Sequence, residues 1–157
     1  MLHATHALLQ AAMDRLAAGA SQPLLDRIGS VFRTITGGAQ AGVRIEDSKD
    51  GQTMVALEAD GMGRKSLDQL SEGTCDQLYL ALRIAALEDH AATASPLPFI
   101  ADDILQTFDD PRTTATLQAL LELSSQVQVI VLTHHPHVGD LAARLPNGAV
   151  NVMRLEA

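Results

Sequence analysis

Leu70-Ser71-Glu72-Gly73-Thr74-Cys75-Asp76-Gln77-Leu78-Tyr79-Leu80-Ala81-Leu82-Arg83 is the stretch that decides how this chain is read. A polar turn holding a serine and a glycine feeds straight into an apolar run, so a helix is predicted to open here. Ser71 is placed to cap it. The backbone N–H groups of Glu72, Gly73 and Thr74 then point outward at the positive end of the helix dipole. Gly73 adds no Cβ, which lets a large anion approach the backbone. Taken alone, these letters also describe an ordinary helix cap. Their weight comes from three further segments downstream.

Those segments are Pro98-Phe99-Ile100-Ala101-Asp102-Asp103, then Phe108-Asp109-Asp110, then Val129-Ile130-Val131-Leu132-Thr133-His134. In this order, the four stretches resemble the second half of an ATP-binding-cassette nucleotide-binding domain. The likeness is to the SMC/RecF/RecN/SbcC group, and within it to YhaN-like AAA proteins, and it runs from about Pro23 to the C-terminus.

That resemblance implies an α/β fold, the C-terminal half of a P-loop ABC-type domain. A parallel sheet is flanked by helices, with a small β-hairpin and an N-terminal helical segment at the base of a coiled coil. It makes Ser71, Glu72, Gly73 and Thr74 the ABC signature, which completes the ATP site of the opposite subunit. Asp102 becomes the Walker B acid that holds Mg2+, and Asp103 the base that polarises the attacking water. Asp103 is one methylene shorter than the glutamate usual at that position. Asp109 becomes the D-loop acid that crosses to the partner, and His134 the switch histidine at the γ-phosphate or the water. ATP and Mg2+ are the implied cofactors, a dimer the implied assembly, and DNA repair or chromosome maintenance the implied setting.

A P-loop needs Gly-x-x-x-x-Gly-Lys-[Ser/Thr], because its amides and lysine wrap the phosphates and its hydroxyl holds magnesium. No such string is present. The nearest, Gly61-Met62-Gly63-Arg64-Lys65-Ser66, carries Arg64 where the second glycine must stand. In SMC-like proteins the P-loop lies in an N-terminal lobe across a long coiled coil. The expectation is therefore half of an ATPase, inactive alone, whose partner is a P-loop lobe on the same or a second chain.

The 157 residues suffice for a sizeable core, with 46% hydrophobic and only 3% aromatic content, so that core is aliphatic. No run approaches the ~20 apolar residues of a membrane span, and Asp14 and Arg15 interrupt any signal-peptide pattern. A single cysteine, Cys75, excludes an internal disulfide and suits the cytoplasm. A net charge of −8 argues against a broad DNA-gripping face. DNA contact in a parent protein falls instead to the other lobe or to a local patch of Arg33, Arg44, Arg64 and Lys65.

Leu2, His6, Leu9, Met13 and Leu16 follow a heptad-like seam, so residues 1–20 read as the end of a coiled-coil arm or an amphipathic helix, and 21–157 as the lobe. Leu24, Leu25, Ile28, Val31 and Phe32 make one apolar helix face, which Gly37-Gly38 ends. Strands are predicted at Gly42–Glu46 and Thr53–Leu57 around an Asp50-Gly51 turn, with Val43, Ile45, Val55 and Leu57 as the alternating apolar set. Short apolar runs at Phe99–Ala101 and Val127–Leu132 alternate with helical patterns at Pro111–Leu123 and His137–Leu145, the rhythm of a parallel β-α-β unit. Asp110 is expected to cap the first of those helices, and Val150–Met153 to add a last strand after Pro146-Asn147-Gly148.

Two rival readings accompany the ATPase. Asp102 and Asp103 close an apolar strand, where parallel sheets bind ligands. With His134, His135 and His137 they form a set able to take zinc or manganese, as in a metal-dependent phosphohydrolase or nuclease. The other rival is a non-catalytic dimerisation module.

Overall fold

The structure is a computed structural model that describes residues 21–48, 51–146 and 149–155. The heptad seam of residues 1–20, Asp50 and Asn147-Gly148 lie outside the described residues. The chain divides into two compact units, one up to Ala86 and one from Leu87.

In the first unit, helix α1 (Gln22–Ile35) starts at Ser21 with Pro23 in its first turn and buries Leu25, Ile28, Val31, Phe32 and Ile35. It ends as expected at the glycine pair. Gly37 and Gly38 have φ of 62° and 82°, which L side chains seldom adopt, and their N–H groups return to Thr34 and Arg33 carbonyls. Strands β1 (Gln40–Ser48), β2 (Gly51–Glu58) and β3 (Arg64–Ser66) follow as an antiparallel sheet in that order. The first two are longer than their apolar cores predict, because polar residues at both ends still complete the ladder.

The alternation predicted across β1 and β2 needs correcting. The register sets Val43 opposite Ala56 and Ile45 opposite Met54, whereas Val55 faces Arg44 and Leu57 faces Gly42. Val43 and Ile45 therefore share a face with Met54 and Ala56. Met54, Val55 and Ala56 are all buried, since β2 is the central strand and is covered on both sides.

Helix α1 lies close on β1 at one point. A Cβ built on Gly29 would sit 3.2 Å from the Val43 nitrogen and 3.3 Å from the Gly42 Cα. Both neighbours are backbone and cannot rotate away. Gly29→Ala gains roughly 1 kcal/mol of helix propensity, but prising helix from strand costs about 1–3 kcal/mol. A net loss of about 1 kcal/mol is expected as a lower denaturation midpoint. A raised midpoint would show that helix and strand separate freely.

The Gly61–Ser66 stretch is a hairpin and not a phosphate loop. Asp60 Oδ1 accepts from the Met62 and Gly63 amides at 2.8 and 3.0 Å, which holds its carboxyl below the ordinary value. Lys65 pairs with Glu58 and Arg64 with Glu46, each at 2.8 Å, so neither cation stands uncompensated as a basic patch. A 3-10 turn (Leu67–Gln69) leads to helix α2 (Glu72–Thr93). Cys75, Gln77, Leu78, Leu80, Ala81, Ile84 and Ala85 are buried, consistent with the central helix expected here. Burial, followed by the charges of Asp76 and Glu72, pushes the Cys75 thiol up, as suits an inert core thiol.

In the second unit, β4 (Phe99–Asp102) and β5 (Val129–Leu132) pair in parallel, joined through helix α3 (Asp110–Leu123). Helix α4 (Pro136–Ala142) follows β5. Leu117, Leu120, Leu123 and Val138 from the helices and Phe99 and Ala101 from β4 are buried. The predicted strand at Val150–Met153 does not form a ladder. That segment is irregular and exposed, and an Arg154–Asp140 contact of 3.2 Å ties it to α4. No described helix is long and apolar enough to cross a membrane.

Candidate functional site

The parallel register builds the site. Asp102 stands opposite Leu132, the last residues of β4 and β5, so Asp103 and Thr133 leave the two strands side by side. The Asp103 N–H still donates to the Leu132 carbonyl at 2.9 Å, one step beyond the ladder. The chain then turns sharply, with Asp103 at φ 48°, the left-handed region that aspartate tolerates better than most residues.

This turn aims the Asp103 carboxylate at the start of the loop after β5. Oδ1 accepts from the His134 backbone N–H at 3.2 Å, and Oδ2 lies 2.5 Å from His134 Nδ1. Burial acts to raise the carboxyl pKa, but hydrogen bonds from the His134 ring, the His134 amide and the Thr133 hydroxyl outweigh it, and the pKa is lowered. Asp103 is thus a carboxylate at neutral pH. A carboxylate so placed selects the tautomer with the proton on Nδ1, leaving Nε2 as a proton acceptor. His135 follows, its ring 4.0 Å from that of His134, and His137 stands next at 5.6 Å from His135.

Asp102 differs from its neighbour. Its side chain points to the exposed face of β4 and has no hydrogen-bond or ion-pair partner among the described residues. An unpartnered carboxylate is a hard oxygen donor of the kind Mg2+ takes. The same face carries Ile100, Ile130 and Leu132, which are 58%, 36% and 45% exposed. Strands of a parallel sheet are normally covered on both sides, so this apolar face is open.

In the first unit, Ser71 caps α2 as expected. Its Oγ accepts from the Thr74 N–H at 3.2 Å and meets the Thr74 hydroxyl at 2.8 Å. That corrects one expectation: the Thr74 amide is occupied by the cap, and only those of Glu72 and Gly73 remain open to a ligand. A Cβ at Gly73 would meet nothing within 4 Å, so the lobe's own packing does not require glycine there.

No family model matches the chain. It is 34% identical over 118 residues to the uncharacterized protein YhaN of Bacillus subtilis (strain 168), covering 74% of this chain and 12% of YhaN. The SMC head domain from Thermotoga maritima matches with a TM-score of 0.56 and 22% identity, over 85% of this chain and 45% of that one. A structure from a study of ATP-driven dimerization and DNA stimulated activation of SMC ATPases matches with a TM-score of 0.58 and 20% identity, over 76% and 70% of the two chains. In fold, the chain matches the C-terminal lobe of an SMC head domain. It spans a small part of YhaN and less than half of the Thermotoga head.

Within this SMC-like lobe, Asp109 is the N-cap of α3. Its Oδ1 accepts from the Arg112 N–H at 2.9 Å, and its carbonyl receives the Thr113 N–H at 2.8 Å. Asp110, expected as the cap, is already inside the helix. Pro111 then falls within the first turn, where its missing N–H costs nothing. The signal was an Asp two residues ahead of a proline, with two aspartates competing for one position. Asp109 is thus committed within its own lobe as well as exposed.

Sequence reasoning missed the left-handed backbone at Asp103, which arises where a strand must turn at once. His135 stands with its neighbouring histidines among the candidate metal ligands of the sequence; what only the structure shows is that its Nε2 is buried and lacks a hydrogen-bond partner among the described residues.

Proposed function

We propose that this chain supplies one half of an ATP-hydrolysing site in an SMC-like head, and that the other half is a P-loop lobe on the same or a second chain. The observation that carries this reading is the Asp103–His134 pair, held at 2.5 Å where two parallel strands end. Asp103 orients His134 and the attacking water, and the pair accepts the water's proton. Asp102 would hold Mg2+, which supplies charge neutralisation on the phosphates. Ser71, Glu72, Gly73 and Thr74 would close over the γ-phosphate bound by an opposing subunit, with the Glu72 and Gly73 amides as donors. Asp109 would face that subunit from the α3 cap.

The open face of Ile100, Ile130 and Leu132 supports the need for a second lobe, because a parallel strand pair of this kind is stable when covered. ATP, Mg2+, a dimer, a coiled-coil arm at residues 1–20, a cytoplasmic location and a role in DNA repair or chromosome maintenance belong to the same proposal.

The chain by itself is expected to turn over no ATP above background, because it lacks the lysine and amides that cradle the phosphates. Adding a P-loop lobe from an SMC-like partner is expected to restore turnover in a steady-state phosphate-release assay. Turnover by the lone chain that Asp103→Asn removes would overturn the half-site reading.

A further inference from the structure

We propose that Asp103, His134 and His135 form a binding site for a zinc-class divalent cation, distinct from the magnesium position assigned to Asp102. One donor atom from each of the three residues falls in a cluster with no pair more than 4.8 Å apart. Donors bound to one tetrahedral ion at roughly 2.0–2.1 Å lie about 3.4 Å from each other. At 2.5 Å the Asp103 and His134 donors stand closer than that spacing and share a proton, so an ion that displaces the proton moves these two apart and draws the His135 ring in.

The donor set decides the metal class. Two imidazole nitrogens and one carboxylate oxygen suit zinc and the later first-row ions, whereas Mg2+ demands oxygen and keeps its waters. Hydrogen bonding within the lobe leaves the His135 ring nitrogen unexplained. Its Nε2 is shielded from solvent without a partner among the described residues, an arrangement that folded proteins rarely tolerate. A metal bond would satisfy it. Backbone contacts hold the cluster in shape: the His135 N–H donates to Thr133 Oγ1 at 3.1 Å, and the His134 N–H to Asp103 at 3.2 Å. His134 is largely exposed, so solvent can enter as the remaining ligand.

On loading, the Asp103–His134 hydrogen bond is exchanged for two bonds to one ion. Where Nδ1 is the ligating atom, its proton moves to Nε2. Nε2 then no longer accepts a proton, so the metal is an inhibitor of hydrolysis; that consequence rests on the proposed function, while binding itself does not.

The test is a titration of the untagged chain with Co2+ and Zn2+ in the presence of millimolar Mg2+. One equivalent is expected to bind, with visible Co2+ bands that Zn2+ displaces. His135→Asn is expected to weaken binding by more than the roughly tenfold that losing even a supporting partner of a metal ligand costs, and His137→Ala to leave it unchanged. As a measurement independent of variant folding, Zn2+ should shift the ring proton resonances of His134 and His135 in the unsubstituted chain. Absence of stoichiometric binding, equal affinity in His135→Asn, or shifts confined to other histidines would each overturn the site. In a protein joined to its P-loop lobe, turnover should fall as the site fills, and His135→Asn should relieve that inhibition. Zinc binding without any ATP turnover in that protein would leave the metal site standing and overturn the ATPase reading.

Discussion

Asp103→Asn is expected to slow ATP turnover by about 10²–10⁴-fold in a protein that joins this lobe to a P-loop lobe, the range typical of losing a positioned acid or base. The substitution is unusually clean here. Position 103 sits at φ 48°, and asparagine adopts left-handed backbone at least as readily as aspartate. Its amide oxygen can still accept from the His134 amide, so geometry survives while the charge is removed. Mg-ATP binding should persist, and the ATP-bound dimer should accumulate. Asp102→Ala should do the reverse, weakening Mg-ATP binding and preventing that dimer. Asp103→Glu keeps the charge but adds reach and a longer side chain on left-handed backbone, and it is expected to fall short of the unsubstituted protein. Wild-type turnover in Asp103→Asn would move the base elsewhere, with His134 first in line.

The pH dependence rests on the same pair. The hydrogen bonds to Asp103 lower its pKa, so its stabilising contribution is complete above the ordinary carboxylate value and is lost only as pH falls through the lower, folded value. Near neutral pH the carboxylate is always charged. Any limb of the rate profile in that range therefore belongs to another group.

Ser71→Arg is the second large effect. Ser71 is exposed and its hydroxyl bonds to Thr74, through the cap on the Thr74 amide and to the Thr74 hydroxyl, so losing the cap costs about 1 kcal/mol and the lobe still folds. The guanidinium would fill the space an opposing nucleotide needs at the Glu72 and Gly73 amides. ATP-driven dimerisation and turnover in the joined protein should fall by about 10²-fold or more, comparable to losing preorganised donors to a developing charge. Nucleotide binding by one subunit should be unaffected. Ser71→Ala separates blocking from loss of the hydroxyl, since it removes the cap hydrogen bond and the hydroxyl but leaves the approach open, and its loss is expected to be the smaller of the two. Dimerisation and turnover unchanged in Ser71→Arg would reduce this segment to a helix cap.

Much of this protein was determined by local rules acting on the sequence alone. The cap at Ser71, the stop at Gly37-Gly38, the aliphatic faces of α1 and α2 and the apolar runs of β4 and β5 arise from periodicity and backbone preference, which operate within a few residues. The order of segments also singled out Asp102, Asp103 and His134. What needed tertiary structure was every relation set by register or by competition between neighbours. The one-for-one pairing of Val43 with Ala56 decided which β1 and β2 residues share a face. Asp109 won the α3 cap from Asp110 through a single amide bond. Val150–Met153 has strand-forming letters but no ladder, because backbone pairing requires a neighbour that sequence cannot supply. Asp103 and His134 are 31 residues apart in sequence, and parallel pairing brings them to 2.5 Å. Residue types name the chemistry; the strand register sets which atoms can perform it.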